Sequence, residues 1–134
     1  MFMIKKNFFK KIAVSILCFS FVGINVIAAT YQGYVLPARQ GNNYTSIHSK
    51  ETTDNYIINI VDDLDNTDEV TFWACNSSKD QISGDYDQKI HNTSTIKFSK
   101  SGYDKIGKEV ILGMENANFY WVDDAFVAGT VDFR

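Results

Sequence analysis

The sequence has few of the residues on which catalytic and metal centres most often depend. Its 134 residues include two cysteines, two histidines and one proline. It contains no Gly-rich phosphate loop, no Gly-x-Ser-x-Gly nucleophile motif, no His-Glu-x-x-His zinc motif and no cysteine pair with the spacing of a metal site. Because no motif positions a nucleophile or an acid/base pair, we expect a protein that is not an enzyme and needs no cofactor.

Positive charge is also scarce outside the first eleven residues. Four of the 13 basic residues, Lys5, Lys6, Lys10 and Lys11, lie in that segment, which has no acidic residue. The remainder carries nine basic and 16 acidic residues, so its formal net charge is −7. A body this acidic repels the phosphates of nucleic acids and anionic membrane surfaces, and we expect neither as a main partner.

The first 29 residues have the layout of a cleavable signal-peptide helix. A cationic segment at 1–11 precedes an apolar run at 12–27, and small residues follow at Ala28 and Ala29. Cleavage near these alanines would release residues 30–134 as a single secreted domain with no stable membrane insertion. The alternative is an uncleaved anchor, because about 18 apolar residues can just span a bilayer. The immediate change to polar sequence favours cleavage.

Cys75 is the only cysteine that remains once the predicted signal peptide is removed. A secreted domain with a single thiol has no internal disulfide, so its stability depends on a packed core. Cys75 ends the apolar run of residues 70–75, which predicts a buried and unreactive thiol. Pairing of Cys75 between two chains stays open at this stage.

The sequence after residue 30 predicts strands and no long helix. Its apolar residues come in short alternating or β-branched runs bounded by Gly, Asn, Asp and Ser. One helical turn at 103–108 is the most that the pattern allows, because Gly107 interrupts it. Six or seven strands favour an all-β fold, a small antiparallel β-sandwich, with a small barrel as the alternative. The predicted strands are 31–36, 56–61, 70–75, 95–99, 109–114 and 125–133.

The densest cluster of charge lies between the second and third predicted strands, at 62–69. Asp63, Asp65 and Thr67, at alternate positions, offer oxygen ligands of the kind that Ca²⁺ prefers in extracellular loops. The segment departs from the EF-hand pattern, however, since Asp68 stands where that loop needs glycine. The segment therefore has two interpretations. One is a weak calcium site, and the other is a solvated connection between strands whose charges discourage edge-to-edge association.

A second candidate site is the segment Phe-Tyr-Trp-Val-Asp-Asp at 119–124. On an exposed surface, Tyr120 and Trp121 can stack on sugar rings while Asp123 and Asp124 accept hydrogen bonds from hydroxyl groups. These four residues are the predicted ligand-binding site.

Two other interpretations of the same segment stay open. Alternation along a strand places Phe119 and Trp121 on one face and Tyr120 on the other, so at least two of these rings would pack in the core. Glu115 and the two aspartates that follow could instead supply the paired carboxylates of a glycoside hydrolase. A domain this small rarely holds the deep cleft that such an enzyme needs.

Five short motifs occur in order over most of the predicted secreted domain. They are Thr52-Thr53-Asp54-Asn55, Thr71-Phe72-Trp73, Tyr103, Val110-Ile111-Leu112-Gly113-Met114-Glu115-Asn116 and Ala128-Gly129-Thr130-Val131-Asp132. Together they resemble a family of small secreted proteins of Gram-positive bacteria classed as a domain of unknown function. The family is similar in size and β-content to lactococcin-like bacteriocins, which interfere with cell-wall synthesis. The chain departs from the family before Thr71, where an acidic stretch replaces a Gly-rich one.

The resemblance implies export and an all-β fold, and it implies no activity. We therefore expect a secreted, non-catalytic β-sandwich that binds an unknown ligand of the cell envelope or of the extracellular medium. The first alternative is a bacteriocin-like antimicrobial or toxin that acts on a cell-wall precursor. The acidic charge counts against simple membrane lysis, which relies on cationic faces. A small hydrolase is the last alternative.

Overall fold

Nine β-strands and their connections make up the part of the chain that the structure describes. The structure is a computed structural model and describes residues 28–119 and 122–134. Residues 1–27 of the predicted signal-peptide helix lie outside these ranges, whereas Ala28 and Ala29 lie within them. Within the ranges there is no helix, and residues 103–108 form only bends and turns. The strands are β1 (Ala29–Leu36), β2 (Asn43–Tyr44), β3 (His48–Ser49), β4 (Tyr56–Asp65), β5 (Val70–Asn76), β6 (Tyr86–Gln88), β7 (Thr93–Lys97), β8 (Glu109–Asn116) and β9 (Ala125–Asp132).

The strands form two antiparallel sheets that share one core. One sheet has the order β1-β9-β4-β7, and the other has the order β2-β8-β5-β6, with β3 also pairing with β8. The prediction of a small antiparallel β-sandwich is confirmed. The strand number exceeds the predicted six or seven, because β2, β3 and β6 have only two or three residues and are too short to show alternation. No helix among the described residues is long and apolar enough to cross a membrane.

Alternating side chains of both sheets build the core. In β9, Val127 and Val131 are buried while Phe126 on the opposite face is exposed, as the alternation predicts. The interior residues of β5 join the same core. On the outer face of β5, Trp73 and Cys75 belong to a second, smaller apolar cluster, so this strand is buried along both faces.

The second cluster depends on a glycine opposite a tryptophan. Trp73 pairs with Gly113 across the ladder, and a Cβ at Gly113 would overlap the indole ring. Tyr44 packs edge-on against Trp73 with ring centroids 6.2 Å apart, and the Lys79 ammonium lies 4.7 Å from the centroid of Tyr44. These contacts leave Trp73 buried and unavailable to a ligand.

β4 continues four residues beyond its predicted end. After an irregularity at Asp62, Asp63 and Asp65 pair with residues of β9. The prediction of one long connection at 62–69 is therefore wrong in its first half, and the connection is only 66–69. The three aspartates point to solvent, so strand pairing leaves their carboxylates in water and carries no cost of burying charge.

A chain of buried polar side chains crosses the core. The Tyr31 hydroxyl of β1 donates to Asn59 Oδ1 at 2.8 Å, and Asn59 Nδ2 donates to Gln88 Oε1 at 2.8 Å. Gln88 Nε2 donates in turn to the backbone oxygens of Asn59 and Asn92. Burial raises the pKa of Tyr31 above its usual range, the bond to Asn59 opposes this shift, and the charge of Asp62 adds to it. Asn59 and Gln88 belong to different sheets, so these bonds hold the two sheets in register.

Gly129 leaves room for this polar chain. Tyr31 pairs with Gly129 across the ladder, and its ring lies over the glycine on the way to Asn59. A Cβ at position 129 would overlap the Tyr31 ring and the backbone oxygen of Ile60. The absent side chain is therefore a packing requirement of β9.

We expect Gly129→Ala to lower the free energy of unfolding by about 1–3 kcal/mol, the range typical of overpacked sites. Urea denaturation followed by circular dichroism would measure the change. Gly84→Ala is the matched control, because no neighbouring atom lies within 4 Å of a Cβ built at Gly84. It should change the free energy by less than about 0.5 kcal/mol. Equal stability of the two variants would contradict the close contact between the Tyr31 ring and Gly129.

The prediction that Cys75 is buried is confirmed. Its side chain is fully inaccessible, and burial raises the pKa of the thiol to about 11, with a contact to Trp73 opposing the shift and the charge of Asp80 adding to it. The unfolded chain loses this proton at a lower pH than the folded chain does. The Cys75 contribution to stability is therefore complete below the ordinary thiol pKa and is lost as the pH rises through the raised one.

We expect the parent chain to lose about 2 kcal/mol more stability than Cys75→Ala between pH 8 and about pH 10.5. Both proteins would carry Cys18→Ser, so that Cys75 is the only thiol that distinguishes them. Denaturation curves of the two proteins at both pH values would measure the difference. In the same background, a thiol reagent at pH 8 should label Cys75 only after denaturation. Rapid labelling of the folded protein, or identical pH dependence of the two chains, would contradict the buried thiol.

Candidate functional site

Three loops meet where β4 and β8 end and where β5 and β9 begin. Four of their side chains are carboxylates, and one, Arg39, is basic. The outward aspartates at the end of β4 extend the same negative surface. We call this region the acidic end, and it consists of loops 37–42, 66–69 and 117–124.

Hydrogen bonds tie the last of these loops to the other two. Near its start, the Ala117 amide donates to the backbone oxygen of Glu69 at 3.2 Å. Near its end, Asn66 Nδ2 donates to the backbone oxygen of Asp124 at 2.9 Å, and the Ala38 amide donates to the Asp124 carboxylate at 3.2 Å. Residues distant in the sequence are thereby held at one end of the sandwich.

All four residues of the predicted ligand-binding site belong to loop 117–124. Tyr120 and Trp121 lie outside the described residues. Asp123 and Asp124 are both exposed, with their carboxylates at the surface of the acidic end.

The described part of this segment is not a strand. β8 ends at Asn116, and Phe119 lies in a turn with 59% of its surface exposed. Strand alternation therefore does not apply at Phe119, because the ladder that would impose it has already ended. The prediction that at least two of the three aromatic rings pack in the core stays a prediction, since Tyr120 and Trp121 lie outside the described residues. Val122, which follows Tyr120 and Trp121 in the sequence, is 68% exposed. Apolar and anionic groups thus lie side by side on this surface.

The floor of the acidic end is a small network around Thr67. Thr67 Oγ1 lies 2.9 Å from Asn116 Oδ1, and Asn118 Nδ2 donates to Thr67 Oγ1 at 3.1 Å. The Asn118 amide donates to Asn116 Oδ1 at 3.0 Å, and Asn118 Nδ2 also reaches the Asp68 carboxylate at 2.9 Å. The network joins the end of β8 to loop 66–69.

One donor in this floor has no partner among residues 28–119 and 122–134. Asn116 is fully buried, and its Nδ2 makes no hydrogen bond in the described part of the chain. The orientation of the amide follows from the Asn118 N–H, which can only donate and so requires the oxygen. An unsatisfied buried donor costs about 1–3 kcal/mol. Sequence reasoning missed this residue, although alternation with Leu112 and Met114 along β8 predicts that it faces inward.

The three predicted calcium ligands belong to two elements, the end of β4 and loop 66–69. Asp63 and Asp65 lie on the exposed face of β4, whereas the Thr67 hydroxyl is engaged with Asn116 and Asn118. In the ranges that the structure describes, no group of three or more His, Cys, Asp or Glu side chains is placed to hold a metal ion. The calcium site at Asp63, Asp65 and Thr67 stays a prediction from the sequence.

The carboxylates considered for a hydrolase have different neighbours. Glu115 lies near Asp85 and Asp87, and burial, followed by these two charges, raises the pKa of Glu115. The Asp124 carboxylate instead accepts from the Ala38 amide. These separate surroundings do not arrange Glu115 and Asp124 as an acid and a base on two sides of a cleft.

A serine and a histidine contact each other between β2 and β3. Ser46 Oγ lies 3.1 Å from His48 Nε2, and the His48 ring stacks on Phe133 with centroids 4.3 Å apart. Burial lowers the pKa of His48, which favours its neutral form. Among the described residues, no third side chain bonds to the imidazole to orient it, as a catalytic triad requires.

Comparisons of the chain with protein-family models, with curated proteins and with solved structures find no match. The resemblance to small secreted proteins of Gram-positive bacteria, and through them to lactococcin-like bacteriocins, therefore stays a prediction from the motifs.

We expect Thr67→Val to lower the free energy of unfolding by about 1–2 kcal/mol, because the change removes the hydroxyl that links Asn116 to Asn118. Hydrogen exchange of the amides in loop 66–69 should also become faster. Thr95→Val is the matched control, since Thr95 is exposed on β7 and the substitution replaces the same atoms. If the two variants have equal stability and equal exchange, the network does not hold the acidic end together.

Proposed function

We propose that the protein is a secreted, non-catalytic β-sandwich that binds a ligand of the cell envelope or of the extracellular medium through its acidic end. The observation that carries this proposal is the exposure of Phe119 and Val122 beside the carboxylates of Asp123 and Asp124. Apolar groups supply affinity when a ligand covers them, and polar groups beside them select its orientation.

The hydrogen bonds at both ends of loop 117–124 support a role in binding. A loop that is already tied to its neighbours loses less conformational entropy when it contacts a ligand. Here the ties are made by Ala117 and Asp124, the first and last residues of the segment that contains the predicted site in the sequence.

The charge of the acidic end limits the chemistry of the ligand. Four carboxylates and Arg39 as the single basic residue oppose an anionic ligand. Hydroxyl groups and ammonium groups are the natural partners of these carboxylates. A neutral glycan or an envelope component that carries amino groups fits this surface better than a phosphate-rich polymer does.

The secretion step of the proposal rests on the layout of residues 1–29. Ala29 is the first residue of β1 and pairs with Val131 of β9. Cleavage between Ala28 and Ala29 would leave β1 whole, whereas cleavage after Ala29 would remove one pairing residue. N-terminal sequencing of the protein recovered from the culture medium would distinguish the two, and recovery of only uncleaved protein in the membrane fraction would contradict secretion.

We expect purified protein to be retained on isolated cell envelopes and peptidoglycan, and Trp121→Ala and Asp123→Asn each to weaken retention by about fivefold or more. Retention would be measured by pull-down at several protein concentrations. Val122→Ala should act in the same direction, because Val122 is among the most exposed apolar side chains of the acidic end.

Two substitutions at the other end of the sandwich serve as matched controls. Ile106→Ala removes an apolar side chain with the same 68% exposure as Val122, and Glu51→Gln removes an exposed carboxylate. Both should leave retention unchanged. Equal retention of Trp121→Ala, Asp123→Asn and the controls would remove the acidic end as the binding surface. Growth inhibition of Gram-positive bacteria by the purified protein would favour the bacteriocin-like alternative, and no inhibition across a broad panel would count against it.

A further inference from the structure

An open cavity lies at the end of the sandwich opposite the acidic end, where β4 begins and β7 and β9 terminate. Its volume is about 300 Å³, at the lower limit of the sites that bind small molecules. Five of the six side chains in its wall are polar and one is aromatic. They are Asn55, Phe98, Ser99, Lys100, Ser101 and Asp104.

The backbone of this wall is held in place by the core. The Phe98 amide donates to the backbone oxygen of Asn55 at 2.8 Å, which joins the two segments that form the cavity. The Ser99 amide donates to the backbone oxygen of Ile82 at 2.7 Å. Tyr103 packs edge-on against Phe98 with ring centroids 6.4 Å apart. The wall is therefore largely formed before any ligand binds.

A buried lysine supports the aromatic part of the wall. Lys50 Nζ lies 5.3 Å from the centroid of Phe98 and donates to the backbone oxygens of Phe133 and Arg134 at 3.3 Å and 2.7 Å. Lys50 is 1% exposed, so its ammonium group interacts with these oxygens and with the Phe98 ring inside the protein and is not exposed to a ligand. The Lys50 charge also interacts with that of Asp104 from the inner side of the wall. The exposed positive charge that borders the cavity is that of Lys100.

Two opposite charges border the cavity without neutralising each other. The ion pairs of the described residues join Arg134 to Asp54 and to Asp132, and neither Lys100 nor Asp104 takes part in one. The side chains of Asn55 and Ser101 also make no hydrogen bond within the described ranges. An ammonium, a carboxylate, an amide and a hydroxyl are thus all available beside one aromatic ring.

We propose that this cavity binds a small zwitterion of the α-amino acid class. Lys100 receives the carboxylate of the ligand, Asp104 receives its ammonium group, and the ring of Phe98 packs against an apolar side chain. A neutral sugar would form an ion pair with neither Lys100 nor Asp104, and a purely anionic ligand would be opposed by Asp104. The site is separate from the acidic end, and the two proposals stand independently.

Titration of the purified, isotope-labelled protein with L-phenylalanine would test the site by nuclear magnetic resonance. At about 10 mM ligand, well above a Kd of about 1 mM, we expect saturable shifts confined to the amides of Asn55 and residues 98–104. Lys100→Gln and Asp104→Asn should each raise the Kd by about fivefold or more. Lys105→Gln and Glu51→Gln are the matched controls, because both side chains are exposed and neither lines the cavity.

Blocked ligands assign each charge to its partner. In the parent, L-phenylalaninamide and N-acetyl-L-phenylalanine should each bind at least about fivefold more weakly than the zwitterion. In Lys100→Gln the amide and the zwitterion should bind equally, and in Asp104→Asn the N-acetyl derivative and the zwitterion should bind equally. The proposal is overturned if no amino acid shifts these amides, if glucose shifts them as strongly, or if the two variants do not remove the discrimination.

Discussion

The passage of the Tyr31 ring over Gly129 is the constraint on which the rest of the sandwich depends. Apolar side chains alone pack two sheets together but tolerate shifts between them. The bonds from Tyr31 to Asn59, and from Asn59 to Gln88, connect β1, β4 and β6 and allow one register. They form only because β9, which lies between β1 and β4, has no side chain at 129. A buried polar chain whose members are all bonded is costly to rearrange, so this part of the core fixes the positions of the strand ends.

The strand ends in turn determine where charge collects. Two groups of aspartates lie about 60 residues apart in the sequence. The first is Asp62, Asp63 and Asp65 in the second half of β4, and the second is Asp123 and Asp124. Antiparallel pairing of β4 with β9 brings them to the same end, since Asp65 pairs with Phe126. Exposure limits the repulsion between these carboxylates, because water screens them. The bond from Asn66 Nδ2 to the backbone oxygen of Asp124 further supports the arrangement. Negative charge at one end is thus a consequence of topology.

Periodicity in the sequence predicted the elements whose burial follows a simple rule. The alternation of β9 and the apolar run that ends at Cys75 both gave the right strands and the right buried residues. The end of β4 was not predictable from charge, since exposed aspartates are compatible with a strand as well as with a loop. The hydrogen bonds of Thr67 and Asn116 were also not predictable from the sequence, because they join segments that are 49 residues apart. The cavity at the opposite end has the same origin, since Asn55 meets the segment after β7 only when the ladder between β4 and β7 has formed.

The two ends are chemically unlike, and the core between them decides whether they can communicate. Coupling between distant sites needs an element with two arrangements that both ligands can bias. The polar chain through Tyr31, Asn59 and Gln88 lies between the ends and has each of its side-chain amides bonded, so it offers no second arrangement of similar energy. The unsatisfied Asn116 donor is the exception, and it belongs to the floor of the acidic end alone. A conformational response to a ligand bound at the acidic end should therefore stay at that end, where loops 66–69 and 117–124 share that floor.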